Sequence, residues 1–195
     1  MRIGILGGSF NPAHEGHLHI SRLAIKRLRL DALWWMVSPQ NPLKPQAGMA
    51  SLAKRMATAR DMARDPRIHV TDIETQLHTR YTIHTLRALK ARFPHARFVW
   101  IMGADNLQQF PDWRDWASIF HTVPIAVFDR ATYSFKALSS KAAHRFGRHR
   151  IMAHNAAALP CLAPPAWAYF HTPRHPASAT EIRAAYDDAD KERHD

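Results

Sequence analysis

The sequence has little cysteine: Cys161 is the single one in 195 residues. No disulfide can form within the chain. Leu159, Pro160, Leu162 and Ala163 surround that cysteine, which predicts a buried, inert thiol. No apolar run is long enough to cross a bilayer. The chain opens on a strand, without the apolar core of a secretory signal, so no membrane span and a cytoplasmic location are expected. Internal repeats and low-complexity segments are absent too. Acidic residues are in short supply: 16 Asp and Glu stand against 27 Lys and Arg, a formal net charge of +11 beside 14 histidines. This balance suits anionic partners without choosing among them. There is no unbroken basic tail. Lys26, Arg27 and Arg29 sit in one segment and Arg145, Arg148 and Arg150 in another. A generally basic surface is therefore expected rather than a nucleic-acid groove, and a homo-oligomer is compatible with it.

With 46% hydrophobic and 22% charged residues, the chain should fold. At this length it should bury about 70% of the surface its unfolded form exposes, most simply as one domain over 1–195. Apolar runs predict strands at 2–6, 32–38, 67–71, 97–102, 123–128 and 166–171. Helical spacing predicts helices at 18–30, 52–64, 81–93 and 134–146, with short helices around Pro111 and a loop over 156–165. Ser178 and Glu181 form a capping-box pattern at the start of a last helix running to Tyr186, and the polar tail from 187 should fray. Strands alternating with helices predict an α/β, Rossmann-like, doubly wound and mostly parallel sheet with helices on both faces. Ligands of such sheets bind beyond the carboxyl ends of the strands. Gly7–His17, Ser38–Lys44 and Gly103–Asp105 all fall there.

The most informative stretch is Gly7-Gly8-Ser9-Phe10-Asn11-Pro12-Ala13-His14-Glu15-Gly16-His17, between the first strand and the first helix. Glycines allow a backbone to approach an anion, and a helix start offers free N–H groups and a positive dipole end. His14 and His17 add two donors whose charge responds near neutral pH. Phosphate binding is the favoured reading. A zinc pair and two plain surface histidines are the alternatives, the first weakened by the lack of further ligands in the motif.

These residues resemble the signature of the His-x-Gly-His nucleotidyltransferases, and more narrowly that of the bacterial nicotinate-nucleotide adenylyltransferases. Later segments agree in order: Asn41-Pro42-x-Lys44, Tyr81-Thr82-Ile83-x-Thr85-Leu86, Ile101-Met-Gly-Ala-Asp-Asn106 with Trp113, and Ser178-x-Thr180-Glu-Ile-Arg183. The resemblance spans nearly the whole chain. It implies transfer of AMP from ATP, with Mg²⁺, to nicotinate mononucleotide, giving deamido-NAD and pyrophosphate without a covalent enzyme intermediate. It implies that His14, His17, Lys44 and Arg183 stabilise the reacting phosphates. Gly7, Gly8, Ser9, Phe10, Gly16, Gly103, Asp105, Ser178 and Thr180 would bind ATP, with Asp105 on the ribose. Thr82 and Trp113 would form the nicotinate pocket, where an aromatic face suits a flat cationic ring. No protein-held metal is implied.

The sequence departs from the family at several positions. Asn11 stands where aspartate is usual, His84 replaces another aspartate, Ala177 and Ala179 interrupt an Ile-Ser-Ser-Thr run, and Arg130-Ala131-Thr132 replaces Arg-Pro-Gly. Rival readings are an adenylyltransferase for nicotinamide mononucleotide or phosphopantetheine, and a nucleotide- or RNA-binding module without turnover. A class I aminoacyl-tRNA synthetase is disfavoured by length and by the lack of a Lys-Met-Ser-Lys-Ser segment.

Overall fold

The computed structural model describes residues 1–39, 48–129 and 134–172. Its seven strands are β1 (Arg2–Gly8), β2 (Ala32–Val37), β3 (Ile68–Thr71), β4 (Arg97–Gly103), β5 (Ile125–Phe128), β6 (Arg150–Ile151) and β7 (Trp167–Phe170). They form one sheet in the order β3-β2-β1-β4-β5-β7-β6. Every pairing is parallel, as the alternation of apolar runs and helices requires. The helices are α1 (Glu15–Leu28), α2 (Leu52–Met62), α3 (Ile73–Gln76), α4 (Thr82–Arg92), α5 (Ala104–Gln109), α6 (Trp116–Thr122), α7 (Ser134–Leu138) and α8 (Lys141–Arg145).

A strand buried on both faces sends alternate side chains to opposite cores. Ile3 and Ile5 of β1, with Phe98 and Trp100 of β4, meet Leu86 and Leu89 of α4 and Phe120 of α6 on one face. Leu6, Val99 and Ile101 meet Ala24, Ile25 and Leu28 of α1 and Met56 of α2 on the other. Among the described residues, no helix is long and apolar enough to cross a membrane.

Three local expectations are corrected. The helix expected over 134–146 is two helices, because Ser140 starts a second one: its Oγ accepts the Ala143 N–H at 3.3 Å. The loop expected from 156 is largely a 3-10 stretch, Ala153–Cys161. Leu159 and Pro160 take its inner face, so Cys161 is exposed instead of buried, with Arg97 Nη1 2.8 Å from its sulfur. The short strand Arg150–Ile151 and the single turn Ile73–Gln76 were too brief to leave a periodic signal.

Candidate active site

From β1 the chain crosses to β2 on one side, and β4 pairs on the other. The loops after β1 and β4 therefore diverge, opening a crevice at the carboxyl end of the sheet. The Ser9–His14 turn forms one lip of this crevice and Gly103–Asp105 the other.

The two histidines are fixed by the helix start itself. His14 is the N-cap of α1, and its Nδ1 accepts the Gly16 N–H at 3.1 Å. His17, three residues on, accepts the His14 N–H on its own Nδ1 at 3.2 Å, closing a capping box. An Nδ1 that accepts carries no proton, so each neutral ring has its N–H at Nε2. The ring edge opposite the backbone is then a donor in both cases. The rings lie 3.9 Å apart between centroids, and His14 is buried. Phe10 packs on His17 at 4.7 Å, and Trp35 stacks on Phe10 at 5.2 Å. Ser21 donates to the His17 carbonyl at 2.7 Å and accepts from Trp35 Nε1 at 2.7 Å, a buried relay that stiffens the first turn of α1.

Two features of the turn have causes other than phosphate. A Cβ at Gly7 would lie 2.4 Å from the Trp100 ring, so packing beneath the site already demands glycine there. Asn11 donates from Nδ2 to the Gly48 carbonyl at 3.1 Å and accepts the Ala50 N–H on Oδ1 at 3.2 Å. An aspartate could make only the second of these bonds. This accounts for the departure at Asn11: the amide ties the turn to the segment before α2.

On the other lip, Gly103 is the N-cap of α5 and makes no side-chain cap. Asp105 sits inside the first turn, so it is not the cap. Its Oδ1 is buried and has no hydrogen-bond partner among the described residues. That leaves an acceptor suited to ligand hydroxyls.

Thr82 opens α4 and is half-buried, with Tyr81 as N-cap. Behind it lies a hydrogen-bonded knot. Thr85 Oγ1 is 2.8 Å from Thr79 Oγ1, 3.2 Å from Glu74 Oε1 and 3.2 Å from the Tyr81 carbonyl. Ser38, Pro39, Glu74, Thr79 and Arg80 line a cavity of about 220 Å³ beyond β2. Burial pushes the Glu74 carboxyl above its ordinary value, against hydrogen bonds from Ser38 and Thr85 that favour the charged form. A raised value means that the fold favours the protonated group. The resulting stabilisation is full below the ordinary value of 4.5 and is lost as pH rises through the folded value. Glu74→Gln should therefore gain stability relative to the parent as pH rises from about 4 to about 8 in urea unfolding, and a pH-independent difference would rule this out.

Trp113 follows the turn Phe110–Asp112, half-buried, 4.9 Å from Phe110 and edge-on to Trp100 at 6.0 Å. Trp116 is equally half-buried and packs on Phe146 at 6.0 Å. Lys44, Ser178, Thr180 and Arg183 lie outside the described residues. Sequence reasoning missed Ser21, Trp35, Glu74 and Arg55. The first three carry no local signal, and Arg55 reads as one more cation on a charged helix.

Residues 5–185 match the model of the cytidylyltransferase-like family, to which the chain therefore belongs, as a nucleotidyltransferase fold with paired histidines at its switch point would suggest. Within it, the chain belongs with the nicotinate-nucleotide adenylyltransferases. It is 56% identical over 183 residues to the "Probable nicotinate-nucleotide adenylyltransferase" of Parvibaculum lavamentivorans, covering 94% of this chain and 91% of that one. It is 50% identical over 192 residues to the protein of the same name from Rhizobium johnstonii, covering 98% and 96%. The fold is also that of the Plasmodium falciparum nicotinic acid mononucleotide adenylyltransferase solved in complex with NaAD. The TM-score is 0.70 at 14% identity, over 94% of this chain and 82% of that one.

Proposed function

We propose that this chain transfers the adenylyl group of ATP to nicotinate mononucleotide, releasing pyrophosphate and forming deamido-NAD. The observation that carries the reading is the His14–His17 capping box at the mouth of the switch point, which holds two Nε2 donors side by side. An oxygen of the mononucleotide phosphate attacks the α-phosphorus of ATP. The new P–O bond forms as the bond to the bridging oxygen breaks, and that electron pair leaves on pyrophosphate. Such a reaction needs positioning and charge stabilisation rather than a protein nucleophile. His14 and His17 donate to the oxygens that gain charge, Asp105 takes ribose hydroxyls, and Trp113 and Thr82 hold the pyridinium and its carboxylate. Lys44, Ser178, Thr180 and Arg183 complete the phosphate contacts in this reading.

Magnesium enters as part of the Mg–ATP substrate, carried on triphosphate oxygens. Among the described residues, no group of three His, Cys, Asp or Glu is placed to hold a metal ion. The test is pyrophosphate release from ATP and Mg²⁺ with each acceptor in turn. Nicotinate mononucleotide should be fastest. Faster release with nicotinamide mononucleotide or phosphopantetheine overturns the acceptor assignment, and no release with any acceptor, together with salt-sensitive RNA binding, overturns the enzyme reading.

A further inference from the structure

Arg55 is the one arginine that the fold buries among the described residues, at 2% exposure in the first turn of α2. A buried guanidinium ordinarily meets a carboxylate. Here none pairs with it among the described residues. Instead it donates to four backbone carbonyls. Nε reaches Ala50 at 3.0 Å, Nη1 reaches Ser9 at 2.6 Å and Ser38 at 2.8 Å, and Nη2 reaches Pro39 at 3.0 Å. Three chain segments converge on one planar fork: the turn after β1, the end of β2, and the approach to α2. A lysine has neither the planarity nor the donors spread widely enough to hold all four.

The Ser9 bond has a consequence beyond anchoring. The Ser9–Phe10 amide is trans, so its C=O and N–H point to opposite sides of one plane. Fixing the carbonyl toward Arg55 turns the Phe10 N–H away from it. Phe10 has a left-handed backbone, φ 46°, a conformation that a residue with a Cβ rarely adopts. The ring end is pinned too, since Phe10 is 1% exposed between His17 and Trp35. The peptide is thus held from both sides in a strained setting that the chain would not keep unaided.

We infer that Arg55 is a positioning residue for ATP: it sets the Ser9–Phe10 peptide so that the Phe10 N–H faces the triphosphate, and it fastens that turn to the end of β2. Its charge, with no carboxylate partner among the described residues, adds a positive field behind the phosphates. The inference rests on the reading of residues 7–17 as the triphosphate cradle.

The test uses the full chain and calorimetric titration with α,β-methylene-ATP and, separately, nicotinate mononucleotide. Arg55→Lys keeps the charge and loses the fork. It should bind the ATP analogue at least about tenfold more weakly, with affinity for the mononucleotide essentially unchanged. Arg55→Ala should lose turnover and regain part of it with millimolar methylguanidinium, which Arg55→Lys should not. Parent-like analogue binding by Arg55→Lys overturns the proposal. So does equal weakening of both ligands with a fall in Tm, which would mark a purely structural arginine. If Arg55→Ala does not fold, the Arg55→Lys titration decides alone. Turnover of His17→Gln separates the two levels of inference: if it turns over as the parent does, the cradle reading has failed, whatever Arg55 does.

Discussion

Replacing His17 with alanine should lower turnover by at least about 100-fold, the loss typical of a missing transition-state donor. The ring is the N3 member of the capping box, so alanine also removes the acceptor for the His14 N–H. Losing that cap should cost about 1 kcal/mol of stability. His17→Gln separates the two effects, because a glutamine at N3 can still reach back to the N-cap N–H. Turnover should fall in both variants, while Tm should fall in the alanine variant alone. A glutamine variant with near-parent turnover would remove His17 from the chemistry and leave it a helix cap.

Trp113→Ala should raise the Michaelis constant for the mononucleotide by about 30-fold, equivalent to a desolvated cation–π contact of about 2 kcal/mol. The constant for ATP should change little. The side chain is half-buried, and its ring touches Phe110 and the edge of Trp100 rather than filling the core. A pyridinium is flat and cationic, so stacking serves the acceptor and not the triphosphate. Trp113→Phe keeps a π face and should recover most of the loss. Equal rises for both substrates would mean that Trp113 only supports the turn Phe110–Asp112.

Much of this site was legible before any coordinates. The His14–His17 pair is local: N-cap and N3 are fixed by helix geometry, so sequence spacing alone sets their neighbourhood. The apolar runs that became β1, β2, β4 and β5 were legible because strands buried on both faces must be almost wholly apolar. What failed was also physical. Apolar neighbours predicted a buried Cys161, yet a 3-10 stretch turns adjacent residues to different sides. Asn11 looked like a lost charge, and only the Gly48 and Ala50 backbone showed that an amide is required.

The sequence by itself determined the class of enzyme, through short motifs in a fixed order, and the local form of the turn before α1, whose residues are neighbours in the chain. The tertiary structure decided what supports that turn. Gly7 is needed because Trp100 of β4 lies across it, 93 positions away in the numbering and adjacent only through the parallel pairing of β1 with β4. Arg55 reads as a solvated helical cation until three segments deliver their carbonyls to it. A buried polar group is specified by its partners, and those partners become neighbours only when the sheet closes around the switch point.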